Sequence, residues 1–161
     1  MPKIETETII NAPIEICFDL SRSVDLHKIS TSKTKEYVFA GRKKGLLEAG
    51  ESVTWRAKHF GVWQNLTSKI TNFEYPFYFS DEMVKGAFHS FKHEHRFETK
   101  EGKTIMKDIF DFKSPFGVIG AVVDKIILTN YMKAFIEERN QVIKDFAETG
   151  KWKDVLDIEK T

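Results

Sequence analysis

From Val118 to about Thr149 the chain contains no proline, and Gly120 alone interrupts a long helical pattern. Asp124, Lys125, Lys133, Glu137, Gln141, Lys144 and Glu148 make a polar stripe. Ile119, Val122, Ile126, Met132, Phe135, Val142 and Phe146 line a broad opposite face. Lys133 and Glu137 stand four apart and can pair, and Gly150 is a natural stop. Almost everything before this helix reads as strand. A single long amphipathic helix after a run of strands implies an α+β fold, with the helix covering the concave face of a curved sheet.

The strands follow from alternation and turn chemistry. Lys3 to Ile10 sets Ile4, Thr6, Thr8 and Ile10 against Lys3, Glu5 and Glu7. Asn11-Ala-Pro13 then opens a short helix with Ile14, Cys17, Phe18 and Leu20 on its apolar face, ending near Ser21. A second helical turn is expected from Val24 to Ile29. Glu36 to Gly41 is a strand. Ser52 to Lys58 puts Val53, Trp55, Ala57 and His59 on one face. Phe60-Gly61 serves as a hairpin turn, pairing Ala57 with Gln64 and Trp55 with Leu66. Val62, Gln64, Leu66, Ser68 and Ile70 then share the face of Trp55 and His59. Phe77 to Val84 is a strand after the Tyr75-Pro76 break. Phe88 to Thr99 and Thr104 to Phe112 form the last hairpin around Glu101-Gly102, and Ser114-Pro-Phe-Gly117 closes the sheet. The whole is a sheet of about seven strands in one domain, residues 1–161.

Within that sheet the run Phe88-His-Ser-Phe-Lys-His-Glu-His-Arg-Phe97 is unusual. Phe91, His93, His95 and Phe97 fall on one face, and Lys92, Glu94, Arg96 and Glu98 on the other. The charged face meets water, so both histidines point inward, where valine and leucine are the ordinary occupants. The Glu101-Gly102 register sets His95 opposite Asp108, His93 opposite Phe110, Phe97 opposite Met106 and Phe91 opposite Phe112. Lys92 opposite Asp111 lies outside. A His95–Asp108 hydrogen bond is then feasible. It reads either as an acid/base pair in an apolar pocket or as a buried polar patch that satisfies itself. His59 is expected at a rim. Gln64 faces inward beside Ala57. Asp81 shares a face with Phe79 and Met83, His89 lies near an edge in solvent, and Arg139 near the buried side of the long helix is expected in a surface salt bridge. His93-x-His95, with His59 or Asp108, completes no three- or four-ligand spacing motif, so no metal is expected.

Composition excludes several classes. The net charge of +1, from 25 basic and 24 acidic residues, lacks the basic excess of a nucleic-acid binder. The cluster Lys33, Lys35, Arg42, Lys43 and Lys44 reads as a solvated hairpin tip. No signal peptide is visible at Met-Pro-Lys-Ile-Glu. The most apolar window, Phe116 to Leu128, carries Asp124 and Lys125 and is short of the roughly 20 residues a membrane span needs. Cys17 is the single cysteine and has apolar neighbours, which implies a buried thiol and a reducing, cytoplasmic setting. The 14 phenylalanines and 3 tryptophans mark a large aromatic interior.

These residues resemble a known group. The order of elements, the Asn11-Ala-Pro13-Ile-Glu-Ile-Cys-Phe18 entry into the first helix, and the stretch Phe79 to Phe97 resemble the START-like, or SRPBCC, helix-grip superfamily, over roughly residues 3 to 150. The likeness is to its uncharacterised bacterial ligand-binding and polyketide cyclase/dehydrase-like branches. It implies binding of a small, largely hydrophobic ligand between sheet and C-terminal helix. The expected lining is Trp55, His59, Gln64, Met83, Phe91, His93, His95, Met106, Asp108, Phe110 and Met132. An enzyme of the cyclase/dehydratase type using His95 and Asp108, and a regulatory interaction module, are the alternatives. The Rieske iron–sulfur domain of some relatives is excluded by the lone cysteine. No cofactor, nucleic acid or membrane insertion is expected, and the chain is read as a monomer or weak homodimer.

Overall fold

The computed structural model describes residues 2–114, 122 and 124–156. Among them, β1 (Lys3–Ile10) leads into α1 (Ile14–Ser21) and α2 (Val24–Ser30). Then come β2 (Tyr37–Gly41), β3 (Ser52–His59), β4 (Val62–Glu74), β5 (Tyr78–Lys85), β6 (Ser90–Lys100) and β7 (Lys103–Lys113). A π-helical turn, Asp124–Leu128, precedes the long helix α3 (Thr129–Glu148) and the short α4 (Trp152–Leu156). The expected Ser114-Pro-Phe-Gly117 closure and the first turns of the long helix, including Ile119 and Gly120, fall largely on residues 115–121, outside the described ones.

Among the described residues seven strands form one antiparallel sheet in the order β1-β7-β6-β5-β4-β3-β2. Strands β2 to β7 are a meander, and β1 lies beside the last of them, from Lys3 against Asp111 to Ile10 against Thr104. Both two-residue turns occur where expected. Phe60 and Gly61 (φ 51 and 77°), and Glu101 and Gly102 (φ 53 and 75°), are all left-handed, the type I′ geometry whose twist suits a hairpin. These turns fix Ala57 opposite Gln64 and Trp55 opposite Leu66. They also fix His95 opposite Asp108 and His93 opposite Phe110. Between β4 and β5 the register shifts twice, at Thr67/Ser68 and at Ile70/Asn72. The second bulge resets the alternation, so that Phe73 meets Phe79, and buried Ser80 accepts from Asn72 Nδ2 at 2.9 Å.

The core has three parts. Under α1, Phe18 packs edge-on to Phe73, Tyr75 and Phe79 at centroid distances of 5.4, 5.0 and 5.2 Å. Arg22 stacks over the rings of Phe18, Phe73 and Tyr75 and pairs with Asp19 and Glu48. At the opposite end Ile4, Phe91, Phe110, Phe112 and Ile136 form a second cluster, and Val24, Val53 and Trp55 a third. Helix α3 lies over the sheet with Ile136, Arg139, Asn140, Ile143 and Ala147 inward. That stripe corrects the sequence reading, since Val122 and Ile126 are 60 and 62 % exposed. The helix leaves α geometry at the π turn, so its period does not carry them to the buried face. No helix among the described residues is long and apolar enough to cross a membrane.

Candidate functional site

The three core clusters do not fill the space between sheet and α3. A cavity of about 600 Å³ remains, within the range of small-molecule sites. Trp55, Ala57 and His59 of β3 and Gln64 and Leu66 of β4 form one side of it. Phe91 and Phe110 form another, and Met132, Phe135 and Ile136 close it from the helix. Phe60 and Ile127 also line it yet are 60 and 52 % exposed. They therefore mark its mouth, between the β3–β4 turn and the π turn. His59 sits at this rim, as expected, with Nδ1 2.6 Å from the Tyr131 hydroxyl. Burial holds its pKa below the ordinary histidine value. His27 lies over Trp55, at 4.2 Å between rings, and bonds Glu36 through Nε2 at 2.9 Å.

The polar wall is built by β5, β6 and β7, with α3 behind. Asp81, His93 and His95 line the cavity. His95 is 2 % exposed, stacked by Phe79 at 4.2 Å and touched by His93 at 3.9 Å. Its Nε2 donates to Asp81 Oδ1 at 3.1 Å. His93 Nε2 donates to Asp108 Oδ1 at 2.9 Å. Each carboxylate thus bypasses the histidine directly opposite and bonds the diagonal one. The expected His95–Asp108 hydrogen bond is corrected accordingly. His95 Nδ1 does lie 3.0 Å from Asp108 Oδ1. It is off the line of the ring N–H, however, and remains buried without an aligned partner.

Asp108 is 1 % exposed. Asn140 Nδ2 donates to its Oδ2 at 2.7 Å and to Thr6 Oγ1 at 3.2 Å. Arg139 Nη1 lies 3.6 Å from Oδ1, and its Nη2 donates to the Ser21 carbonyl at 2.8 Å. Arg139 is 7 % exposed. The surface salt bridge expected for it is therefore replaced by a buried one, because its position follows Ile136 by three on the inward stripe. Burial opposes ionisation throughout. Even so, the hydrogen bond from His93 and the close approach of the His95 ring hold Asp108 well below the usual carboxylate range. The nearby carboxylates of Asp108 and Asp81, the latter accepting from His95 Nε2, raise His95. Burial, reinforced by the His95 charge, lowers His93. The carboxylates of Asp81 and Asp108 thus face the two imidazoles and the Arg139 guanidinium within one buried group.

Trp55, His59, Gln64, Phe91, His93, His95, Phe110 and Met132 of the expected lining face the cavity. Met83, Met106 and Asp108 lie outside it. Met106 is fully buried beneath α1, where Ser21 Oγ meets its sulfur at 3.4 Å. Met83 packs on the Phe91–Phe110–Phe112 cluster near Gly86. Asp108 sits behind the two imidazoles rather than between them and the cavity. Sequence reasoning missed His27, Glu36, Tyr131 and Asn140. Only Asn140 carried a signal, as a polar residue four after Ile136 and three before Ile143.

No family model matches this sequence, and no curated protein matches it. Solved structures do. A Thermus thermophilus protein superposes with a TM-score of 0.69 at 14% identity, covering 88% of this chain and 97% of that one. Major latex-like protein 151 of Panax ginseng gives 0.67 at 14%, over 92% and 98%. A START superfamily protein of Mycobacterium smegmatis gives 0.67 at 10%, over 91% and 97%. The chain has the helix-grip fold. In this helix-grip chain α3 is the grip, and the Asp81–His93–His95 wall lies in the sheet it closes upon.

Proposed function

We propose that the protein binds a small, largely apolar molecule in the cavity between sheet and α3. The observation that carries this is the cavity itself: about 600 Å³, walled mainly by aromatic and aliphatic side chains, with its polar groups gathered on one wall. The apolar part of the ligand lies against Trp55, Phe91, Phe110 and Met132. Asp81, His93 and His95 orient its polar end, and Gln64 offers an amide from β4. Phe60 and Ile127 give an apolar threshold at the mouth. The buried free thiol of Cys17 suits a reducing compartment such as the cytoplasm. A cyclase/dehydratase reaction driven by His95 and Asp108 has less support, because the carboxylate is sealed from the cavity and His95 is held between two anions.

Native mass spectrometry of freshly purified protein, followed by titration with a fluorescent apolar probe, tests the reading. The expected result is an organic adduct or saturable probe uptake that quenches Trp55. A chain with no adduct and no saturable uptake would overturn it.

A further inference from the structure

We propose that Asp81, His93 and His95 form a binding site for a divalent first-row transition-metal ion on the polar wall of the cavity. One donor atom from each of the three lies within 4.8 Å of the other two. Ligand atoms sharing such an ion stand about 2.0–2.2 Å from it. The 3.1 Å between His95 Nε2 and Asp81 Oδ1 is therefore already a ligand-to-ligand spacing. Two imidazoles and one carboxylate are a borderline donor set, which favours zinc, cobalt or nickel over magnesium or calcium.

The backbone supplies this geometry without strain. His93 and His95 are i and i+2 on β6, so both face the cavity, and Asp81 is the cross-strand partner of His93 on β5. The second layer has the form metal sites use, in which a carboxylate orients the ligating histidines from behind. Asp108 Oδ1 accepts from His93 Nε2 and lies 3.0 Å from His95 Nδ1. That leaves the other nitrogen of each ring for the ion. A metal on His95 Nε2 fixes the proton on Nδ1. That N–H then faces the Asp108 carboxylate 3.0 Å away, a charge contact that supports the ring from behind. Binding replaces the proton on His95 Nε2, which leaves to solvent. The Asp81 and His93 side chains keep 18 and 12 % exposure. With all three ligands on one wall, the remaining coordination positions open into the cavity. The site is independent of the apolar-ligand reading, since an ion needs only this wall.

The test is calorimetric titration of the chelator-stripped full chain with Zn²⁺ and Co²⁺, beside imidazole-detected NMR. The expected result is one ion per chain and visible Co²⁺ absorption. His93 and His95 ring resonances should shift, while those of His59, His27 and His89 stay in place. Asp81→Asn and His93→Gln should each weaken binding at least tenfold, Asp108→Asn about 10–100-fold, and His89→Gln not at all. The wild-type NMR map remains decisive if a variant fails to fold. A folded wild type that binds neither ion up to about 1 mM would overturn the proposal, as would shifts at His89 or His27 in place of His93 and His95.

Discussion

Asp108→Asn is the most informative single perturbation of this protein. Four donor groups converge on the two oxygens of Asp108. His93 Nε2 and Asn140 Nδ2 are aligned at 2.9 and 2.7 Å. His95 Nδ1 and Arg139 Nη1 are held by charge at 3.0 and 3.6 Å. An amide has one acceptor. With its NH₂ in place of Oδ2, it opposes the Asn140 donor. Flipping Asn140 is no escape, because its Oδ1 accepts from Arg139 and its Nδ2 serves Thr6. With NH₂ in place of Oδ1, it opposes both imidazoles. Either orientation loses a charged hydrogen bond, worth about 1.5–3 kcal/mol, and strands a buried donor at about 1–3 kcal/mol. We expect a loss of about 3–4 kcal/mol, which lowers Tm by roughly 10 °C for a chain of this size. Urea unfolding followed by tryptophan fluorescence measures it, with an unchanged m-value as the sign that the native fold is retained. A loss below about 1 kcal/mol would overturn this expectation and show that the network contributes little net stability, as some buried ionic groups do.

Three further outcomes follow from the same structure. Ala57→Leu places a branched side chain inside the cavity, so apolar-probe binding should fall at least tenfold while stability changes by less than about 1.5 kcal/mol; undiminished uptake would place the binding elsewhere. Burial raises the Cys17 thiol from 9.0 to about 11. The neutral thiol thus contributes stability that is complete below pH 9 and is lost as pH rises through about 11. The cost of Cys17→Ala should accordingly shrink by about 2 kcal/mol between pH 8 and pH 10.5, as read by urea unfolding at both values; an unchanged cost would contradict the burial. Gly102→Ala forces a Cβ into a left-handed turn position and should cost about 1 kcal/mol by thermal unfolding, whereas a neutral result would mean that the turn does not set the β6–β7 register.

How far the fold and site were legible in the sequence depends on what fixes each feature. The β6–β7 register was readable because Glu101-Gly102 admits a two-residue turn and only one phase keeps Lys92 and Asp111 outside. The same logic placed Ala57 against Gln64. The hydrogen bonding of the inward groups was not readable. Register sets which Cα atoms face each other, but Asp81 and Asp108 each reach the diagonal histidine, a choice made by side-chain torsions and strand twist. The bulge at Ile70/Asn72 left no alternation to follow, so the meeting of Phe73 with Phe79 was invisible. Arg139 and Asn140 look like solvent-facing helix residues, and only the Ile136, Ile143 and Ala147 spacing shows that they point inward. Met106 and Met83 share a face with the cavity residues, yet α1 and the Phe91 cluster cover them.

The pairing of β1 with β7 has a consequence during synthesis. Lys3 must wait for Asp111, and Thr6 for Asn140. The meander from β2 to β7 needs only neighbouring turns. At about 5–20 residues per second on the ribosome, β1 spends roughly 5–20 s without its strand partner. Ile4, Thr8 and Ile10, all buried in the finished protein, stay uncovered through that interval. The first strand made is therefore among the last to be placed, and a nascent chain has both a sheet edge and its complement exposed until β7 emerges.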